Sequence, residues 1–111
     1  MLAGSDACGA AWEVPGPALH QEFDELARAG LTPLRILQLT TSAPAEFLNA
    51  TEEMGSVTES KFADLVLLDS DPLASVENLH RIIGVVRAGR YLDRARLDSI
   101  THSIASSRAV R

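Results

Sequence analysis

The chain has little of several residue types, and each shortage excludes a class of protein. It contains one cysteine, Cys8, among 111 residues, which excludes an internal disulfide and a cysteine-based zinc site. No apolar run approaches the roughly 20 residues that cross a membrane. The start lacks the basic segment of a signal peptide and soon reaches a carboxylate, Asp6. We therefore predict a soluble protein with no membrane partner, and favour the cytoplasm over export.

Positive charge is also scarce. The sequence carries 10 Lys and Arg against 15 Asp and Glu, a formal net charge of −5. The basic residues are scattered, whereas a nucleic-acid interface needs them clustered on one face. This pattern predicts that the chain has no nucleic-acid partner.

What the first half does contain is a series of helix signals. Apolar residues at helical spacing follow Pro17, and Gly30 suits the end of a helix. Thr32 suits the N-cap of a second helix, and Pro44 breaks the pattern before a third. We predict three short helices over residues 17–49.

The second half has the character of short β-strands. Residues 62–69 form a buried-strand pattern, and residues 82–87 and 90–92 predict a hairpin joined by an Ala-Gly turn. Asp93 then suits the start of a final helix. Residues 1–5 suggest the end of a strand, but no other segment is an obvious partner for it.

Four stretches, in order, resemble the C-terminal third of the amidohydrolase superfamily. The branch they are most similar to is that of the imidazolonepropionase-like and prolidase-like metal-dependent hydrolases. The stretches are AGSDA (3–7), LHQEFDELARAGLTPLRILQLTTSAPAEFL (19–48), MGSVTESKFADLVLLDSDPL (54–73) and IIGVVRAGRYL (82–92). AGSDA resembles the family's Gly-Thr/Ser-Asp at the end of the eighth barrel strand. Ser60 departs from the pattern, since the family usually has Gly there.

The resemblance implies an α/β fold: the C-terminal remnant of a metal-dependent-hydrolase TIM barrel, with its last strand and helices, plus part of the accompanying small β-sandwich. It assigns residues 1–50 to the last βα unit of the barrel and 51–93 to the C-terminal part of the sandwich. Residues 94–111 are left as a C-terminal helix and tail. A barrel needs eight βα units and about 250 residues. We therefore expect the sequence to be a fragment of a larger enzyme.

The resemblance also implies a hydrolase that acts on carbon–nitrogen bonds, with a small-molecule amide, cyclic amide or dipeptide as substrate. By resemblance, Asp6 binds a divalent metal, expected to be zinc, and is the catalytic residue that takes the proton of the attacking water. A bound metal lowers the pKa of water, and a neighbouring carboxylate can accept the proton. The alternative for Asp6 is an ordinary Gly-Ser-Asp turn.

The histidines carry weaker signals. His20 opens the first predicted helix two residues before Glu22, so the two could line a substrate pocket or form a surface pair at the helix end. His80 and His102 have no acidic or histidine partner at the spacing of metal ligands, and we predict that both lie on the surface. The substrate-binding candidate is therefore His20, with both accounts of it open.

The family's other metal ligands have no counterpart here. They are a His-x-His pair on the first strand, a carboxylated Lys or a Glu on the fourth, and His residues on the fifth and sixth. A catalytic zinc takes three or four protein ligands, so we expect these residues alone to bind no metal and to be inactive. The alternative function is a non-catalytic α/β module that associates with a partner chain. Self-association is a further expectation, because four apolar side chains would lack their barrel neighbours: Leu19, Phe23, Leu34 and Leu37.

Overall fold

A computed structural model of the chain describes residues 1–5, 7 and 14–108, with the side chains of 107 and 108 excepted. Three helices come first, and a small sheet, a 3₁₀ helix and a last α-helix follow. The elements are α1 (Pro17–Arg28), α2 (Pro33–Thr40), α3 (Ser42–Phe47), β1 (Leu65–Leu68), the 3₁₀ helix (Val76–His80), β2 (Ile82–Arg87), β3 (Arg90–Asp93) and α4 (Arg94–Arg108). The fold is thus a small mixture of helices and antiparallel strands.

The helix boundaries follow the local signals in the sequence. Helix α1 ends at its C-cap Ala29, and Gly30 follows with φ +94°, a left-handed conformation that glycine adopts without a steric penalty. Helix α2 begins after Thr32, whose hydroxyl accepts a hydrogen bond from the Arg35 N–H at 3.3 Å. The three predicted helices and these two termini are confirmed.

The hydrophobic core lies between α1, α2 and the 3₁₀ helix. Ile36 and Leu39 of α2 are completely buried, and Phe23 of α1 packs against Ile36 and against Leu79 of the 3₁₀ helix. Half-buried apolar side chains surround this cluster: Leu19, Leu26, Ala27, Leu31, Leu37, Leu68 and Val76. The expectation that Phe23 would be uncovered is therefore wrong, because the 3₁₀ helix covers it. Leu34, by contrast, is 53% exposed.

The sheet has three antiparallel strands in the order β1-β2-β3. Ala88 and Gly89 turn the β2–β3 hairpin with φ +50° and +76°, the positive values that a tight two-residue turn needs. The first strand is shorter than predicted. It begins at Leu65, opposite Val86, and residues 62–64 lie outside the ladder. The carbonyl oxygen of Ala63 instead accepts a hydrogen bond from the Gly89 N–H of the hairpin turn at 3.1 Å. The hairpin is confirmed.

Residues 1–5 do not form the strand that the sequence suggested. Their described main-chain hydrogen bond runs from the Ala3 N–H to the carbonyl oxygen of Leu39, at 3.2 Å. A strand exists only beside another strand, and the three strands of the sheet pair with one another.

At the C-terminal end of the chain, α4 extends to Arg108, with the Arg96 N–H bonded to the carboxylate of Asp93 at 2.8 Å. The predicted cap at Asp93 is confirmed.

Candidate functional site

The candidate catalytic and metal-binding residue, Asp6, lies outside the described residues. So do Cys8 and Trp12. The segment before Asp6 is held against the C-terminal end of α2 by the bond between Ala3 and Leu39. The roles predicted for Asp6 therefore stay predictions.

His20 is the fourth residue of α1 and is half-buried. Its ring meets that of Phe23 edge to face, with centroids 5.4 Å apart, and the ring of His80 is 5.1 Å away. The Nδ1 atom of His20 is buried and has no hydrogen-bond partner among the described residues. The His20 ring therefore lies against one apolar ring, that of Phe23, and one titratable ring, that of His80.

His80 is exposed, as the sequence predicted, but it has a partner in the folded chain. It ends the 3₁₀ helix, and its Nε2 lies 2.9 Å from Oδ1 of Asp24 on α1. His20 and Asp24 are four residues apart and therefore share a face of α1. That spacing was a signal available in the sequence. The third member, His80, is 56 positions from Asp24 in sequence and is brought to them only by packing.

The environment of His20 favours its neutral form. Burial lowers the pKa of the His20 imidazole below its usual 6.5, and the neighbouring His80 lowers it further. The carboxylate of Asp24 raises this pKa, but less than the other two influences lower it. His20 is therefore held neutral over a wider range of pH than a histidine in water.

An open groove runs between the start of α1, strand β2 and helix α4. Its volume is about 680 Å³, and His20, His80 and Arg94 lie along it together with apolar side chains of β2 and α4. Both histidines thus border this open groove. Its apolar wall comes from Ile82 and Val85.

The described residues do not contain a metal site. Across 1–5, 7 and 14–108, no group of three or more His, Cys, Asp or Glu side chains is arranged to hold a metal ion. The aspartates near the sheet serve local structure instead. Asp64 accepts a hydrogen bond from the Ala88 N–H at 2.6 Å, and Asp71 accepts one from the Leu73 N–H at 2.8 Å. His102 is exposed on α4, as predicted.

Comparison with known proteins identifies the family. A model of the amidohydrolase family matches residues 1–92. The chain belongs to the amidohydrolase family. The match includes the three helices and nearly all of the sheet, and it ends one residue before the cap of α4. Amidohydrolases are generally metal-dependent.

Individual relatives are similar to parts of this amidohydrolase chain. Adenine deaminase 2 of Jannaschia sp. (strain CCS1) is 39% identical over 51 residues, which is 46% of this chain and 8% of that protein. The structure of molinate hydrolase aligns with a TM-score of 0.68 and 30% identity over 73% of this chain and 17% of its own. The structure of phenylurea hydrolase B aligns with a TM-score of 0.61 and 34% identity, over 68% of this chain and 17% of its own.

A more distant structure supports the fold. A Xaa-Pro dipeptidase aligns with a TM-score of 0.62 and 23% identity, over 68% of this chain and 18% of that one. This amidohydrolase chain therefore spans less than a fifth of the length of the proteins that it matches. Within the described residues, no helix is both long enough and apolar enough to cross a membrane.

Proposed function

We propose that this amidohydrolase chain supplies the C-terminal part of a metal-dependent hydrolase that acts on carbon–nitrogen bonds of small molecules. The observation that carries the proposal is the family match, which covers residues 1–92. The names of two relatives agree with it, since a deaminase of adenine and a hydrolase of phenylurea act on nitrogen-containing small molecules. The substrate class is an amide, a cyclic amide or a dipeptide.

The proposal divides the chain into three parts. Residues 1–50 are the last βα unit of a TIM barrel, 51–93 are part of a β-sandwich, and 94–111 are a helix and tail. The division is supported by the positions of the elements, because α1 to α3 fall in the first part and the three strands in the second. In a complete barrel, residues 1–5 would gain the neighbouring strands that they lack here.

Within this proposal, Asp6 is a metal ligand and the proton acceptor, His20 contacts the substrate, and the metal is zinc. A catalytic zinc needs three or four protein ligands, and the described residues do not bring three such groups together. The remaining ligands would therefore come from polypeptide other than these 111 residues. The chain alone is proposed to hold no catalytic metal and to hydrolyse no amide.

Metal analysis of the purified 111-residue chain tests the last point. We expect far less than one zinc per chain after dialysis, and no release of amine from simple amides. One tightly held zinc per chain together with turnover would overturn the proposed inactivity. The DNA upstream of the Met1 codon tests the rest: an in-frame His-x-His followed by about 250 residues of βα units would support the barrel.

The role of Asp6 is tested in a protein that joins this chain to the missing barrel strands. Asp6→Asn keeps the shape of the side chain and removes the proton acceptor, so kcat should fall by at least about 100-fold. Asp71→Asn is the matched control, because Asp71 caps an exposed turn. A wild-type kcat in Asp6→Asn would favour the alternative, that Asp6 belongs to an ordinary Gly-Ser-Asp turn and takes no part in catalysis.

A second candidate function is a non-catalytic module that binds a partner chain. It is favoured by apolar side chains left exposed on the sheet, among them Val66 and Tyr91, each 58% exposed. Upstream DNA without the His-x-His pair would favour this alternative over the hydrolase.

A further inference from the structure

A small cluster of titratable side chains joins helix α1 to the 3₁₀ helix. We propose that Asp24, His20 and His80 form a pH-sensitive clasp, which holds α1 against the 3₁₀ helix near neutral pH and loosens when both imidazoles are protonated. The proposal concerns the stability of the fold and does not depend on the proposed hydrolase function.

The clasp lies next to the core contact between α1 and the 3₁₀ helix. His80 follows Leu79, the residue of the 3₁₀ helix that packs on Phe23 in the core. The 3₁₀ helix leads almost directly into β2, which starts at Ile82. A change at the clasp therefore acts on the contact through which the sheet is attached to the helices.

The geometry accommodates one positive charge better than two. A protonated imidazole has two N–H donors, and Nδ1 of His20 is buried without an acceptor in the described parts of the chain. The two rings are 5.1 Å apart, so two protonated rings would repel each other at short range. The hydrogen-bonded carboxylate near them, that of Asp24, already bonds to His80. Protonating both rings thus adds a buried, unsatisfied donor and a repulsion.

The surrounding charges do not remove this imbalance. The other charged side chains beside the cluster come from three elements: Arg28 of α1, Glu77 of the 3₁₀ helix and Arg94 of α4. The two arginines add positive charge, although each pairs with an acidic residue one turn away on its own helix. Strand β2 contributes apolar side chains to the groove. Glu77 is the one further carboxylate in this group, and it is exposed.

The lowered pKa of His20 sets the direction of the effect. Burial is its largest cause and His80 the next. The unfolded chain, with a His20 pKa near 6.5, then binds more protons than the folded chain in the range just below 6.5. The contribution of His20 therefore destabilises the folded chain as the pH falls from 6.5 through the lower, folded-state pKa. Above about pH 7.5 this contribution is absent.

Hydrogen exchange of the 111-residue chain near pH 7.5 and near pH 5 tests the clasp. After correction for intrinsic exchange rates, we expect the protection of amides in α1 and the 3₁₀ helix to fall several-fold on acidification. His20→Gln should abolish most of that fall, because it removes the buried imidazole. His80→Gln should reduce the fall without abolishing it, because it removes the second charge but leaves His20 buried. His102→Gln is the control, since His102 is exposed on α4 and should leave the fall unchanged.

An NMR titration of the imidazole protons gives an independent readout if a variant does not fold. In the wild-type chain, His20 should titrate below 6.5, in step with the loss of protection. A His20 that titrates at or above 6.5 would overturn the proposal. The same conclusion would follow if acid exposed the amides of β2 and β3 as much as those of α1, or if both glutamine variants kept the full pH dependence.

Discussion

The helical region, residues 17–48, and the sheet region, residues 65–108, bury their side chains very differently. Six apolar residues are buried in the part of the chain that the structure describes: five lie in the three helices of the first region, and the sixth is Leu79 of the 3₁₀ helix. Among the described residues of the three strands, Gly84 is the only one that is buried. The helical region therefore has a buried apolar core of its own, and the three described strands have none.

The physical reason lies in the geometry of the elements. A helix has one apolar stripe, and α1 and α2 cover each other's stripes while the 3₁₀ helix closes the side. A sheet has two faces, and each face is shielded from water only where another layer packs against it. In this chain the sheet is a single layer of three strands. Val66 and Tyr91 consequently remain more than half exposed. The helical region therefore carries most of the stability, and the sheet is attached to it through Leu68 and Leu79.

The largest expected effect comes from truncating the core of the helical region. Ile36 is 0% exposed, so Ile36→Ala should lower the free energy of unfolding by about 2–5 kcal/mol. Val66→Ala, which shortens a β-branched apolar residue of the sheet, should cost less than about 1 kcal/mol. Urea denaturation followed by circular dichroism measures both. Equal losses would show that the sheet is as well packed as the helices.

A substitution at Gly55 probes how tightly the loop after α3 packs on the helical region. A Cβ at this position would lie 2.6 Å from Cβ of Ala45, which is itself buried, and 3.1 Å from the carbonyl oxygen of Thr41. Gly55→Ala should therefore cost about 1–3 kcal/mol more than Gly30→Ala.

Gly30 is the matched control, because its φ of +94° resembles the +90° of Gly55 while the space around it is open. Both substitutions share the cost of a left-handed alanine, roughly 1–2 kcal/mol. The difference in their unfolding free energies isolates the clash. No difference would mean that the loop moves away from α3 without a penalty.

The smallest expected effect distinguishes the regions by their helix caps. Helix α2 supplies two core residues, and Thr32→Ala removes its N-cap hydrogen bond. This change should lower the unfolding free energy by about 1 kcal/mol. Asp93→Ala removes the shorter bond that caps α4. Because almost all of α4 is exposed, this change should speed amide exchange in the first turn of α4 and leave global unfolding nearly unchanged. A larger global loss in Asp93→Ala would reverse the ranking of the two regions.

Local signals explain why so much of the secondary structure could be predicted. The ends of α1 and α2, the hairpin turn and the cap at Asp93 each depend on residues within four positions of one another. Residues 1–5 do not form a strand in this structure, because a strand depends on a distant neighbour, which no local pattern supplies. The cover of Phe23 was missed for the same reason.

The amino-acid sequence by itself determined the helices, the hairpin, the scarcity of basic residues and the resemblance that the family match over residues 1–92 confirmed. These properties follow from composition, short-range hydrogen bonding and the order of motifs along the chain. Only the tertiary structure decided that His80 meets Asp24 and His20, and that the sheet remains largely exposed. The reason is that packing joins residues 56 positions apart, and such contacts depend on how all the elements fit together.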